Sequence, residues 1–150
     1  MSEDRIPMNF CWKNYFSLAK ELAEATEDEA CLRSAISRAY YAAFCNARNH
    51  MARVFHNPMP GRDERNGMSA HTYLILYYKG VFLRGMIRAK KINVDPRKMS
   101  IGKDLDVMRI ERERVDYDDY VDRLERIKSI TEDVLIRSER VVSKTEPPAT

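Results

Sequence analysis

Ser34-Ala-Ile-Ser-Arg38-Ala-Tyr40-Tyr41-Ala-Ala-Phe44-Cys45-Asn-Ala47 decides the fold class of this chain. At about 100° per residue, Leu32, Ile36, Ala39, Tyr40, Ala43, Ala47, Met51 and Val54 fall on one apolar stripe. On an ordinary surface helix the opposite side is a solvated charged face. Here it reads Ser34, Arg38, Tyr41, Cys45, Arg48 and Ala52, at a 4-3-4-3-4 spacing. That is a heptad-like seam of small, aromatic and arginine residues. A helix with so little plain solvent surface belongs at the centre of a bundle, or is covered on its second side by a partner.

The flanking sequence supplies the other helices. Trp12, Phe16, Ala19, Leu22 and Ala23 recur at helical spacing and predict a first helix over 9–25. Thr26-Glu-Asp-Glu29 reads as a capping box for the central helix, which runs over 28–55 until Asn57-Pro-Met-Pro60-Gly61 stops it. Residues 57–68 are a polar loop without periodicity. Ser69 or Gly67 then opens a third helix, 70–79, ending at Gly80. Residues 81–100, with Gly85, the basic run Arg88-Ala-Lys-Lys91 and Pro96, read as a short helix and a loop. A fourth helix over 101–114 carries Ile101, Leu105, Met108 and Arg112 on one face. Asp116-Tyr-Asp-Asp119 breaks it and caps a fifth, on which Tyr120, Leu124, Ile127, Thr131, Val134 and Ser138 share a face. The expectation is an all-α, up-and-down bundle of four to five helices in one domain spanning 1–150, with 1–8 and 143–150 as frayed tails.

With 33% charged and 44% hydrophobic residues, the 150-residue chain has the composition of a folded domain, not a disordered one. No apolar run approaches the ~18 residues of a membrane span, and the first residues lack the apolar core of a signal peptide. The reading is a cytoplasmic protein without membrane attachment. Cys11, Cys31 and Cys45 show no CxxC spacing and are read as free buried thiols. The net charge of +3 is unevenly spread: residues 48–114 hold 15 Lys/Arg against 7 Asp/Glu, leaving −5 to the two ends. A basic middle suits a phosphate-bearing partner, or is charge partition between segments that fold together.

Two segments in order, Ser37-Arg38-Ala-Tyr40-Tyr41-Ala-Ala-Phe44 and, about seventy residues later, Arg112-Glu-Arg-Val-Asp116-Tyr117-Asp118-Asp119, resemble the HEPN family of small helical domains. The similarity covers roughly 9–142. It implies a four- or five-helix bundle that pairs as a homodimer. Many members of that family are metal-independent ribonucleases of toxin–antitoxin and antiviral systems, often beside a nucleotidyltransferase partner. Their activity rests on an Arg followed about four to six residues later by a His, the Arg holding the scissile phosphate and the His moving a proton. In this chain Arg112 is present, but Tyr117 stands where the His would be. A phenol with an ordinary pKa near 10 is a poor proton shuttle at neutral pH.

Arg65-Asn-Gly-Met-Ser-Ala-His71 has the spacing, but lies before the third helix, not the last. The catalytic candidates are therefore Arg65, His71, Arg112 and Tyr117. The candidates for a ligand or dimer cleft are Arg38, Tyr41, Arg48, Arg112 and Asp116. Arg38, set among alanines and tyrosines, needs a counter-charge if buried, and Asp116 is the expected partner. His50 and His56 have no carboxylate or cysteine at metal-ligand spacing, and the three carboxylates of 116–119 read as helix caps before they read as a Mg²⁺ site. No metal and no cofactor is expected. The reading is a binding module for nucleotide or RNA, or for a nucleotidyltransferase-type protein, with a degenerate ribonuclease motif; the alternative is a metal-independent endoribonuclease.

Overall fold

The central helix begins where an aspartate can cap it. In a computed structural model, which describes residues 11–84, 88–91, 95–117 and 123–148, the side chain of Asp28 accepts from the amide of Cys31 at 3.1 Å, and α2 then runs Glu29–Val54. The cap is thus Asp28, not Thr26. Glu29 does not reach back to close a box; its carboxylate takes Arg33 and Arg123 instead. The helix stops as the amides of Phe55 and Asn57 both bond the carbonyl of Met51 and His56 turns left-handed at φ 53°.

Among the described residues four further helices surround α2: α1 Lys13–Ala23, α3 Ala70–Tyr78, α4 Pro96–Tyr117 and α5 Arg123–Thr145. The four long ones alternate in direction. Trp12, the residue before α1, lies by Arg48 and Phe16 of α1 clusters with Ala42, so α1 and α2 are antiparallel. Lys98 of α4 meets Phe55 and Asp116 meets Arg33, so α4 returns along α2. Lys144 bonds Ser100 and Arg123 bonds the carbonyl of Val115, so α5 returns along α4. The short α3 is the exception. Tyr40 pairs with His71 and His50 with Tyr78, so α3 runs in the same sense as α2, after residues 55–69 have carried the chain back. The architecture is an all-α up-and-down bundle with one inserted helix. Among the described residues, no helix is long and apolar enough to cross a membrane.

Residues 81–100 depart from expectation. Val81–Arg84 and Arg88–Lys91 are the antiparallel strands β1 and β2, paired from Val81↔Lys91 to Arg84↔Arg88, and α4 starts at Pro96, five residues early. Pro96 initiates the helix instead of breaking a loop: it sits at the first helical position, and Asp95 caps by accepting from the amide of Lys98 at 3.0 Å. At its other end α4 runs on through Asp116 to Tyr117, so the break falls later than the sequence suggests; Asp118, Asp119 and Tyr120 lie outside the described residues. The tail read at 143–150 also begins later. Thr145 is buried in α5, and Glu146 accepts from Asn46 at 2.9 Å. Residues 1–8 lie outside the described set. Val54, assigned to the apolar stripe, is exposed at the end of α2, whereas Leu32, Ile36, Tyr40 and Met51 are almost wholly buried. Of the three free cysteines only Cys45 is buried; Cys11 is exposed.

Two contacts fix how α4 packs. Asp104, 4% exposed, receives Arg140 through two nitrogens, at 2.8 and 3.1 Å, and Arg137 at 2.9 Å. A buried carboxylate is tolerable because two guanidiniums satisfy it. Gly102 lets α4 approach the end of α3 closely: a Cβ there would lie 2.9 Å from Lys79 Cγ and 3.0 Å from the Lys79 amide nitrogen. In urea denaturation, Asp104→Asn should cost about 2–3 kcal/mol. Gly102→Ala should destabilise by about 1 kcal/mol or more, although Ala normally gains that much over Gly inside a helix.

Candidate functional site

From Cys31 to Arg53 no residue of α2 is fully exposed. The polar groups of this helix must therefore be met by its neighbours. On the side facing α5, Ala39's carbonyl accepts from Ser138 at 2.6 Å and Asn46 donates to Glu146. On the side facing α3, two phenol–imidazole pairs form. Tyr78 Oη donates to the carbonyl of Ala47 at 2.8 Å, so His50 Nδ1, 2.8 Å away, is the donor to Tyr78. Tyr40 Oη lies 2.6 Å from His71 Nδ1.

The second pair sits in an aromatic niche. His71, in the first turn of α3, stacks on Phe44 with ring centres 4.1 Å apart, lies near-parallel to Tyr40 at 5.5 Å, and meets Tyr41 edge-on at 6.0 Å. The Arg112 guanidinium of α4 stands 4.9 Å from the Tyr40 ring centre and 5.3 Å from that of Tyr41. Among the described residues Arg112 pairs with no carboxylate. Arg109, three residues earlier on the same face, bonds Asp106 at 3.4 Å, and among the described residues its buried Nε has no hydrogen-bond partner. Asp106 itself is held at 2.6 Å by Lys79. The niche is thus positive and half-buried.

Its electrostatics follow from that. Burial, then the charges of Arg112 and Arg109, hold the His71 pKa below the ordinary histidine value of 6.5. Burial raises Tyr40, which stays a neutral phenol. At neutral pH the niche offers a fixed cation, a neutral imidazole and the Tyr41 ring. That set suits a phosphate oxygen and a nearby proton.

The sequence candidates are redistributed. Arg112, His71 and Tyr41 come together, and Arg38 lies one turn before Tyr41 on the same face of α2. Arg38 does not pair with Asp116. Among the described residues it has no ion-pair partner, while the exposed Asp116 lies 3.7 Å from Arg33. Arg38 is half-exposed and keeps its hydration, so it needs no clamp. The corner of α4 and α5 is instead tied to α2 by Arg123, bonded to Glu29 at 2.6 Å. Arg48 reaches away, bonding Asn49 and facing Trp12. Arg65 is spent on its own loop, donating to the carbonyls of Pro60 at 2.6 Å and Met68 at 2.9 Å. The Tyr117 side chain lies outside the described residues. Sequence reasoning missed Arg109, although its spacing from Arg112 was the available signal, and it treated Phe44 only as motif. Cys45, on the seam, is buried, which pushes its thiol up to about 11. Among the described residues no group of three or more His, Cys, Asp and Glu could hold a metal ion.

Comparison of the chain with protein-family models, with curated proteins and with solved structures gives no match.

The lowered histidines set a pH dependence. His50 is also held below 6.5, by burial and then by Arg53, Arg97 and Lys98. Below that value the unfolded chain binds protons that the folded chain refuses. Stability is therefore complete above pH ~6.5 and falls as pH drops through it, by at most about 1.4 kcal/mol per pH unit for each histidine. Urea denaturation between pH 8 and 5 should show this slope, and His71→Gln should reduce it.

Proposed function

We propose that the chain is a HEPN-type helical module that binds a phosphate-bearing ligand, a nucleotide or RNA, between Arg112, His71 and Tyr41. The observation that carries this reading is the meeting of Arg112 and His71 around Tyr40. A half-buried guanidinium without a carboxylate partner among the described residues holds uncompensated charge where a phosphate can use it. Arg38, on the same face of α2, extends the cation set toward a second phosphate, and the basic balance of 48–114 draws a polyanion. As the resemblance implies, two copies would pair with these faces opposed; a nucleotidyltransferase-type protein that supplies chemistry is the alternative occupant to nucleotide or RNA.

One observation favours the endoribonuclease reading as well. The Arg and His that the family pattern draws from one helix are here drawn from α4 and α3, and Tyr40 holds His71 by Nδ1. Nε2 is then the nitrogen left to move a proton.

Fluorescence anisotropy with a labelled single-stranded RNA tests the first reading. The wild type should bind in a salt-dependent way. Arg112→Ala should weaken binding about tenfold or more and flatten the salt slope; equal binding by this variant overturns the reading. In EDTA, RNA cut by the wild type and spared by His71→Ala puts the ribonuclease first, whereas RNA left intact by the wild type removes it.

A further inference from the structure

Behind α3, on the side away from His71, lies a cavity of about 430 Å³. Phe55 at the end of α2 and Tyr73, Leu76 and Tyr77 of α3 form its apolar walls, and Asn57 and Glu64 are among its polar lining. It has the size and the mixture of ring faces and few polar groups of a small-ligand site. The loop that closes it is built, not slack. Arg65 ties its two ends through the carbonyls of Pro60 and Met68, and its backbone bonds run Arg65 to Gly61, Asn66 to Asp63 and Gly67 to Arg62. Asn66, on the cavity wall, is held left-handed at φ 56°, a conformation that asparagine tolerates better than most residues but that the surrounding bonds must maintain.

Cations gather beside this cavity. The ammonium of Lys98 lies 4.3 Å from the ring centres of both Phe55 and Tyr77, the same rings that wall the cavity. Arg53, Arg97 and Lys98 all act electrostatically on His50, whose ring meets Phe55 edge-on. Among the described residues none of the three pairs with a carboxylate: Arg53 and Arg97 donate to the carbonyls of Thr145 and Lys144, both at 3.4 Å. Acids stand nearby as well, with Asp63 exposed in the closing loop. Asp95 is committed to capping α4, and Glu64 is exposed at the cavity's edge. None of Arg53, Arg97 and Lys98 is part of the cavity wall, whose own cation is Arg65; Lys98 adjoins it through the rings of Phe55 and Tyr77. An aromatic anion would meet ring faces and a counter-charge together.

We propose that this cavity is a second ligand site, for a planar ring carrying a phosphate, of mononucleotide size. The ring stacks on Tyr73 and Tyr77, with Asn57 and Glu64 bonding its edge, and the phosphate turns toward Lys98 and Arg97. The site is distinct from the Arg112–His71 niche and does not depend on it. Calorimetric titration of the whole chain with AMP and UMP tests it, with adenosine and inorganic phosphate as probes of the two halves. Saturable binding of a nucleotide is expected, at least fivefold weaker for adenosine and for phosphate alone. Arg97→Gln/Lys98→Gln, where Arg97 is exposed and Lys98 half-buried at the start of α4, should weaken it at least fivefold with the melting temperature kept, and Tyr73→Leu should do so by loss of stacking. In the Arg112→Ala background, where the niche no longer contributes, one equivalent of nucleotide should still bind and should still be weakened by the Arg97/Lys98 change. The proposal is overturned if neither nucleotide binds, if adenosine binds as well as AMP, if no nucleotide binds in the Arg112→Ala background, or if the binding left in that background survives the Arg97/Lys98 change.

Discussion

The burial of α2 on all sides constrains everything else in this molecule. A surface helix sends its polar side chains into water. This one cannot, because no residue between Cys31 and Arg53 is fully exposed. Each polar group it carries must be matched by another helix, which turns α2 into a template for the bundle. Ser138 and Glu146 register α5 against it, and His71 and Tyr78 register α3. The direction of α3 follows: two phenol–imidazole pairs, ordered the same way along both helices, can be satisfied together only if α3 runs with α2. The long loop over 55–69 is the length of chain that this direction requires.

The same constraint places the chemistry. Tyr40 is wholly buried yet has a hydroxyl to satisfy, and His71 is its partner. That bond draws a titratable ring into the contact between α2 and α3. Arg112 then lies over the tyrosines because an aromatic face is a place where a guanidinium can be half-buried without a carboxylate. The niche is a by-product of packing a polar central helix, which is why its groups come from three elements that no linear motif joins. Arg123 and Asp104 carry the ion-pair work that fixes the bundle, so Arg112 and Arg38 are free of it.

Helix positions and the core were legible because periodicity reports which side of a helix faces inward, and burial enforces it. Leu32, Ile36 and Met51 in α2, Ile101, Leu105 and Met108 in α4, and Ile127 and Val134 in α5 are buried as their spacing indicates. Side-chain pairing was less legible. Asp116 chooses Arg33 over Arg38, and residues five apart on a helix point about 140° away from each other; which of them meets α4 depends on the rotation of α2, not on either residue. The β1–β2 ribbon was hidden for a different reason. Four-residue strands carry too few alternations to register as a period, and the basic run at 88–91 says only that the segment reaches solvent. Asp95-Pro96 does carry a start signal, an N-cap followed by a proline at the first helical position, which a reading of 81–100 as a short helix and a loop passes over.

That His71 and Arg112 meet follows from how the helices run. In sequence they are 41 residues apart, and the position five residues after Arg112 is Tyr117. In the fold, α3 and α4 are antiparallel neighbours, so the start of α3 lies beside the far end of α4, and a histidine in the first turn of one reaches an arginine near the end of the other. The pair is therefore a consequence of topology: any chain that packs α3 with α2 and against α4 brings those two places together. What distinguishes this chain is that the residues there are a histidine and an arginine, with a buried phenol to orient the first and no carboxylate, among the described residues, to neutralise the second. A purely structural corner would have closed Arg112 with an acid, as Asp104 closes Arg137 and Arg140 two turns earlier on the same helix. An uncompensated cation next to an imidazole that burial keeps neutral costs stability in the folded state, and a bound anion is what would recover it.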